Sequence, residues 1–227
     1  MGHGRYYRAM LFDVDGTLID SNDAHARAWA DALREHGVEA DYRRVRPLIG
    51  MGGDKLLPAV AEISETSPEG KSIVKRKKEI FDHLLRGVQP TRGARALLDY
   101  LREHDIPMVI ATSADDSELH ALLKQAGLDD LIARKTSKDD VADSKPDPDI
   151  VHAALARAGA APEEAFMVGD TPYDIAAANQ AGVAAIALRC GGYWSDESLQ
   201  GAVAIYNDPH DLLSRWQQRS AFAVRSR

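Results

Sequence analysis

Short apolar runs alternate with amphipathic segments along most of the chain. Apolar runs typical of buried strands are AMLF (9–12), IPMVIATS (106–113), AFMVGD (165–170), VAAIAL (183–188) and AVAIY (202–206). Apolar residues recur every three or four positions in other segments, which predicts amphipathic helices at ARALLDYLREHD (94–105), DSELHALLKQAG (116–127), DPDIVHAALARAG (147–159) and YDIAAANQAG (173–182). Strands that alternate with helices of this length predict an α/β fold with a Rossmann-like parallel sheet.

Residues 21–89 interrupt this alternation. They contain helical patterns only, among them DAHARAWADALREHG and KLLPAVAEI. We therefore predict an inserted α-helical cap domain at 21–89 and an α/β catalytic core formed by 1–20 and 90–227. Hinges are expected near Ile19–Asn22 and Val88–Arg92, so that the cap could close over the core like a lid.

Composition and charge narrow the class of protein. A hydrophobic fraction of 44% with 28% charged residues is typical of a globular protein with a full core. No apolar run approaches the roughly 20 residues of a membrane-spanning helix, and the net charge of −7 argues against a nucleic-acid partner. The single cysteine, Cys190, cannot form an intramolecular disulfide, which favours a reducing, cytoplasmic location. The basic run KSIVKRKKEI (71–80) interleaves its charges with apolar residues and is interpreted as a solvated helix face.

Polar residues cluster where the predicted strands end. In parallel sheets, ligands bind outside the carboxyl ends of the strands, so these residues are expected to share one edge. They are Asp13 and Asp15 after the first strand, Thr112 and Ser113 after the second, Lys145 in the loop SKPDPD, and Asp170 and Asp174 after a later strand.

These residue types suit the transfer of a phosphoryl group. Asp13, Asp170 and Asp174 offer hard oxygen ligands, and Mg²⁺ prefers a few carboxylates together with waters and a substrate oxygen. Such a cation would cancel the repulsion among the acids. Lys145 adds positive charge for a phosphate, and the hydroxyl of Ser113 can donate to a phosphoryl oxygen. A carboxylate can then attack phosphorus and form an aspartyl-phosphate.

The reaction also needs a group that protonates the leaving alcohol and later activates water. Asp15 is placed for this only if the backbone turns sharply after the strand. Gly16 makes such a turn easy.

The motifs resemble those of the haloacid dehalogenase superfamily of phosphohydrolases. DVDGTLID (13–20) fits the first motif, DxDGT, and Ser113 in ATSAD fits the second. Lys145 in DSKPDPD fits the third, GDTPYD (169–174) fits the acidic fourth, and the helical insert matches the cap of the superfamily. The resemblance implies catalytic roles for Ser113 and Lys145 beside the aspartates of the first motif.

The resemblance also implies individual roles for the acids. Asp13 is expected to be the nucleophile and Asp15 the general acid/base. Mg²⁺ is expected to be held by Asp13, the backbone carbonyl of Asp15 and Asp170, with Asp174 nearby, directly or through water.

The insert offers candidate substrate contacts. IGMGGDK (49–55) is not a P-loop, because its spacing differs and no strand precedes it. Gly52 could let backbone approach the substrate, with Lys55 or Arg46 meeting an anionic group; the alternative is a flexible turn between helices. His25 lies near the first hinge, either close to the acid/base or as a polar support for the loop. The full predicted set of substrate contacts is Ser113, Ala114, Lys145, Gly52, Lys55, Arg46 and His25.

The main hypothesis is a Mg²⁺-dependent phosphatase that hydrolyses a small phosphate monoester, in the phosphoglycolate phosphatase-like branch. A β-phosphoglucomutase-like enzyme is the alternative, but its fourth motif typically carries an adjacent acid pair, so GDTPYD favours hydrolysis. A non-catalytic phospho-acceptor or binding protein is the alternative of another class; receiver modules are shorter and lack a helical cap. The expected partner is a small phosphorylated metabolite, with neither nucleic acid nor membrane. The sequence does not indicate the oligomeric state.

Overall fold

The structure, a computed structural model, describes residues 9–225. Its strands are β1 (Ala9–Phe12), β2 (Ile19–Asp20), β3 (Gln89–Pro90), β4 (Met108–Ala111), β5 (Arg134–Thr136), β6 (Ala165–Gly169), β7 (Ala184–Leu188) and β8 (Ala204–Tyr206). Its helices are α1 (Asn22–Glu35), α2 (Tyr42–Val45), α3 (Gly53–Ala61), α4 (Pro68–Leu84), α5 (Ala94–Glu103), α6 (Asp116–Ala126), α7 (Asp149–Ala158), α8 (Pro172–Gln180) and α9 (Pro209–Arg225). Among these, no helix is both long enough and apolar enough to cross a bilayer.

The central sheet has six parallel strands in the order β5-β4-β1-β6-β7-β8. This confirms the predicted α/β fold. β1 lies between β4 and β6, and all of its residues are buried. Because the strands are parallel, the loops that follow β1, β4 and β6 open on the same edge of the sheet.

Helices cover both faces of the sheet. Side chains alternate along β1: Met10 and Phe12 join an apolar cluster that includes residues of α5, α6 and α9. Ala9 and Leu11 join a second cluster that includes residues of α7 and α8. A strand with two buried faces must be apolar throughout, which explains why AMLF is a continuous run.

Four elements lie outside the sequence-based expectations, namely the short strands β2 and β3, the edge strand β5 and the helix α9. β5 has the polar sequence RKT and pairs only with β4, at the edge of the sheet, so burial imposes no apolar pattern on it. α9 closes the described chain and packs Leu212 and Leu213 into the first apolar cluster.

The segment between β2 and β3 carries α1 to α4. Its helices enclose an apolar cluster of their own, which includes Trp29, Leu56 and Ile73. β2 and β3 pair antiparallel, with Ile19 opposite Pro90, so the two predicted hinge segments run side by side. The division into core and cap at 20/21 and 89/90 stays a prediction.

Candidate active site

The turn after β1 brings two aspartates to the edge of the sheet. Asp13 follows β1 directly, and Asp15 comes one buried residue later. Gly16 then turns the chain with a φ of 77°, in the left-handed region that favours glycine. A Cβ at Gly16 would collide with Asn22 and Asp170. The glycine of the first motif is therefore required by a close approach as well as by the turn.

Three buried carboxylates meet at this edge from distant parts of the chain. Asp13 follows β1, Asp170 follows β6, and Asp174 lies in the first turn of α8. One oxygen of each lies within 4.8 Å of the others. Burial raises the pKa of Asp13 to about 8 and the pKa of Asp170 well above its ordinary value, and repulsion from Asp174 adds to both shifts. A positive charge at this position would stabilise the ionised cluster.

Lys145 supplies part of that positive charge. Its Nζ donates to Oδ1 of Asp13 at 2.6 Å and to Oδ1 of Asp174 at 2.7 Å, and its side chain is fully buried. Burial lowers the pKa of Lys145, but the charges of the two carboxylates outweigh it and raise that pKa above its ordinary value. The ammonium is therefore retained and orients both acids.

The surroundings of Asp170 and the charge of the acid cluster suit a divalent cation. Thr17 Oγ1 and Asn22 Nδ2 donate to the two oxygens of Asp170 at 3.2 and 2.9 Å. The buried Oδ1 of Asn22 has no hydrogen-bond partner among the described residues. When all three carboxylates are ionised, one ammonium leaves the cluster negative, and carboxylate oxygens are hard ligands. The cluster is compatible with a divalent metal ion.

The carboxylate of Asp15 lies outside this cluster of three and has different partners. Its Oδ1 accepts from Ser21 Oγ at 2.5 Å and contacts His25 Nε2 at 2.8 Å. Burial would raise the pKa of Asp15, but the charge and hydrogen bond of His25, together with Ser21 and Lys77, lower it to about 2. Metal binding by its backbone carbonyl and proton transfer by its carboxylate both stay predictions.

A small cavity of about 60 Å³ lies between the cap and this edge of the core. It brings together several of the predicted substrate contacts, namely Gly52 and His25 from the insert and Ser113 and Ala114 from the loop after β4. The cavity is lined by Asp13, Asp15, His25, Trp29, Ile49, Gly50, Met51, Gly52, Gly53, Lys77, Thr112, Ser113, Ala114 and Glu118. Only a small ligand fits unless the cap opens.

Several main-chain and hydroxyl groups that line this cavity already form hydrogen bonds within the protein. Ser113 Oγ lies 3.5 Å from the carbonyl oxygen of Gly50, so the second-motif serine meets the glycine-rich segment of the cap. The N–H of Gly52 donates to Ser144 Oγ at 3.2 Å. The N–H of Ala114 donates to Thr112 Oγ1 at 3.1 Å. The half-buried Ser113 hydroxyl has the weakest of these contacts.

Arg46 and Lys55 are not brought into the cavity. Arg46 is buried, with Nε 2.9 Å from Asp23 Oδ1 and Nη2 on the carbonyl oxygen of Gly191. Nζ of Lys55 lies 2.8 Å from a carboxylate oxygen of both Asp143 and Asp147. In the described arrangement, both cations join the cap to core loops and neither lines the cavity, so their contact with a substrate stays a prediction.

Sequence reasoning missed Lys77 and Glu118. Lys77 belongs to the basic run interpreted as a solvated face, yet it is buried and its Nζ lies 2.6 Å from Glu118 Oε2 inside the cavity lining. The signal was its spacing: Ile73, Lys77 and Phe81 are four residues apart and form the buried stripe of α4. Glu118, in the first turn of α6, carried no comparable signal.

The comparisons with known proteins agree with this geometry. The model of the haloacid dehalogenase-like hydrolase family matches residues 10–188. The chain belongs to this family. It is similar to a phosphoglycolate phosphatase from Photorhabdus laumondii, 30% identical over 214 residues and 91% of each chain. It is also similar to the fructose-1-phosphate phosphatase YqaB from Escherichia coli, 27% identical over 186 residues, which are 81% of this chain and 97% of the relative.

Among solved structures, a hydrolase of Pseudomonas syringae is 30% identical and superposes with a TM-score of 0.86 over 92% of this chain and 98% of that one. The predicted membership of the haloacid dehalogenase family is therefore confirmed, as is the prediction of a phosphatase. The individual roles of the site residues stay predictions.

Proposed function

We propose that this haloacid dehalogenase-family phosphatase hydrolyses a small phosphate monoester through an aspartyl-phosphate on Asp13, with Mg²⁺ as its cation. The observation that carries the proposal is the contact of Lys145 Nζ with both Asp13 and Asp174, beside a separate acid, Asp15, on the same turn. One carboxylate is thus held for attack, and the other is held for proton transfer.

Mg²⁺ would be held by Asp13 and Asp170, with Asp174 and the Asp15 carbonyl close by. When bound, the ion supplies positive charge to the acid cluster and to a phosphoryl oxygen. Lys145 keeps Asp13 oriented towards the cavity. The hydroxyl of Ser113, loosely held by Gly50, is free to donate to a phosphoryl oxygen.

In the first step, a carboxylate oxygen of Asp13 attacks phosphorus, and the bond from phosphorus to the ester oxygen breaks. The leaving alcohol takes a proton from Asp15. The pKa of Asp15 is about 2 in the free protein, so this carboxylate must first take up a proton. The negative phosphoryl group of a bound substrate favours that uptake.

In the second step, water attacks phosphorus of the aspartyl-phosphate. Asp15, now ionised, takes a proton from that water, and the bond from phosphorus to Asp13 breaks. Inorganic phosphate leaves and the carboxylate of Asp13 is restored. The low pKa of Asp15 suits this step, because the carboxylate is available as a base across the physiological range.

Phosphate release from p-nitrophenyl phosphate, with Mg²⁺ or with EDTA, tests the proposal. We expect release with Mg²⁺, little with EDTA, and none with Asp13→Asn. Mass spectrometry of quenched reactions should detect phosphate on Asp13. Full activity of Asp13→Asn would disprove the assignment of the nucleophile.

A phosphomutase is the competing activity, because it uses the same aspartyl-phosphate. It would require a bisphosphate activator and would return an isomerised ester instead of free phosphate. Product analysis by ³¹P NMR with hexose phosphates distinguishes the two. A cytoplasmic location is part of the proposal, and it is supported by the single Cys190, which cannot form an intramolecular disulfide.

A further inference from the structure

The cavity next to Asp13 is lined by a lysine, Lys77, whose charge is balanced by a neighbouring carboxylate. Nζ of Lys77, from the cap, lies 2.6 Å from Oε2 of Glu118, from the core. The two side chains are only 7% and 10% exposed. The ammonium also lies over the rings of Phe81 and Trp29, at 4.9 and 5.7 Å from their centroids. Its charge is therefore already satisfied before any substrate binds.

The other cations near the cavity are committed as well. Among the described residues that line it, Lys77 is the one lysine or arginine. Lys145 is engaged by Asp13 and Asp174. As described above, Arg46 and Lys55 connect the cap to core loops. A second anionic group on a substrate would find no free cation there.

Such a group would also meet negative charge. Asp15 and Glu118 both line the cavity, on either side of His25, whose Nδ1 lies 3.9 Å from Glu118 Oε1. Burying a second anion between carboxylates without a counter-charge is costly. Hydroxyl groups, by contrast, can donate to these carboxylates, and Trp29 and Met51 offer apolar surface to carbon atoms.

We propose that the enzyme acts on phosphate monoesters of neutral polyols or sugars, and that the Lys77–Glu118 ion pair selects against substrates with a second anionic group. This inference rests on the proposed phosphatase function and adds the class of leaving group. Glu118 acts by holding the ammonium of Lys77, so that a carboxylate or second phosphate cannot use it.

Matched esters test the selectivity of the wild-type enzyme. 3-Phosphoglycerate carries a carboxylate where glycerol 3-phosphate carries a hydroxymethyl group. Fructose 1,6-bisphosphate carries a second phosphate that fructose 1-phosphate lacks. We expect kcat/KM for the neutral leaving group to be higher by about tenfold or more in each pair. Equal or higher values for the doubly anionic esters would overturn the inference.

The two proposals fail in different ways. Hydrolysis of p-nitrophenyl phosphate together with a preference for the carboxylate ester would overturn the leaving-group inference and leave the phosphatase function intact. Absence of phosphate release from every ester, with every divalent cation tried, would overturn the phosphatase function and this inference with it.

Glu118→Gln tests the role of the ion pair directly. The variant keeps the shape of the side chain but leaves the ammonium of Lys77 without a counter-charge. We expect the preference for glycerol 3-phosphate over 3-phosphoglycerate to fall by about tenfold, mainly through a lower KM for the carboxylate ester. Glu103→Gln, at the exposed end of α5, is the matched control and should leave the ratio unchanged.

The double variant Lys77→Met/Glu118→Gln tests whether the gain in Glu118→Gln comes from the charge of Lys77 or from a change in packing. It removes the ammonium and its partner together, so it should not gain activity on 3-phosphoglycerate. An equal gain in the single and double variants would show that Lys77 is not responsible, and would overturn this role. Thermal melting of each variant checks the fold, and the wild-type ester pairs decide the selectivity even if a variant does not fold.

Discussion

His25 Nε2 lies 2.8 Å from Asp15 Oδ1, so helix α1 of the insert holds the candidate general acid/base of the core. The imidazole is buried and stacks on Phe81 of α4, with ring centroids 4.0 Å apart. His25 is also the largest contributor among the groups that lower the pKa of Asp15. The state of this carboxylate therefore depends on where the insert lies.

Asp15→Asn should separate the two chemical steps. p-Nitrophenolate is a good leaving group that needs no proton, so the variant should still be phosphorylated on Asp13. Hydrolysis lacks its base and should slow by about 10²- to 10⁴-fold. Stopped-flow measurements should show a burst of nitrophenolate followed by slow turnover, with phosphoenzyme detected by mass spectrometry. A burst in Asp13→Asn, or wild-type turnover in Asp15→Asn, would contradict the assigned roles.

His25→Asn should lower kcat by about tenfold with little change in KM, because it removes a contact that positions Asp15 and not a group that binds phosphate. His83→Asn, on the exposed side of α4, is the matched control and should behave as wild type. A large rise in KM with unchanged kcat would instead indicate that His25 binds the substrate directly.

The acid cluster should make stability depend on pH, and a bound cation should weaken that dependence. The folded-state pKa of Asp13 is raised from 3.8 to about 8, so the folded protein binds more protons than the unfolded chain in that interval. Without cation, this contribution to stability is fully present below pH 4 and is lost as pH rises towards 8. Mg²⁺ binds the ionised cluster and should reduce the loss.

Melting temperatures at pH 5, 6.5 and 8, in EDTA and in MgCl₂, would measure this effect. Because protons compete with the cation, the increase in Tm caused by Mg²⁺ should be larger at pH 8 than at pH 5. Asp170→Asn should diminish that increase. The idea fails if Mg²⁺ stabilises Asp170→Asn as much as the wild-type protein.

Lys55→Ala should change kcat/KM less than about threefold, because the half-buried side chain forms ion pairs with Asp143 and Asp147 outside the cavity. Lys75→Ala, at an exposed position of α4, is the control. A rise in KM of more than tenfold would show that Lys55 does contact the substrate, as the sequence predicts, after a movement of the cap.

Arg46→Ala should lower the free energy of unfolding by about 2 kcal/mol, because it removes buried hydrogen bonds and the contact of the guanidinium with the ring of Tyr193. Arg46→Lys should restore little, since one ammonium cannot reproduce the planar fork. Urea unfolding measures both, with Arg43→Ala at an exposed position of the same region as control. Unchanged stability with a raised KM would assign Arg46 to the substrate instead.

The pattern of α4 predicts the helix but not the surroundings of each of its lysines. Charges interleaved with apolar residues correctly indicate a helix over the basic run. The interpretation of all its lysines as solvated was wrong for Lys77, which lies on the same stripe as Ile73 and Phe81. Its spacing from Ile73 and Phe81 indicates that Lys77 is buried. How a buried ammonium is stabilised is explained only by the ion pair with Glu118, 41 residues further along the chain.

The sequence by itself determined the parallel sheet and the identity of the acids at its edge. Strands buried on both faces must be apolar, and polar residues directly after them must lie where the strands end, so local pattern suffices. Tertiary structure alone decided which charged side chains are paired within the protein. Lys55 and Arg46 are bound to core loops, and Lys77 is bound to Glu118, through contacts between segments far apart in the chain. Electrostatic energy depends on distance and burial, and neither is encoded in the spacing of residues along one segment.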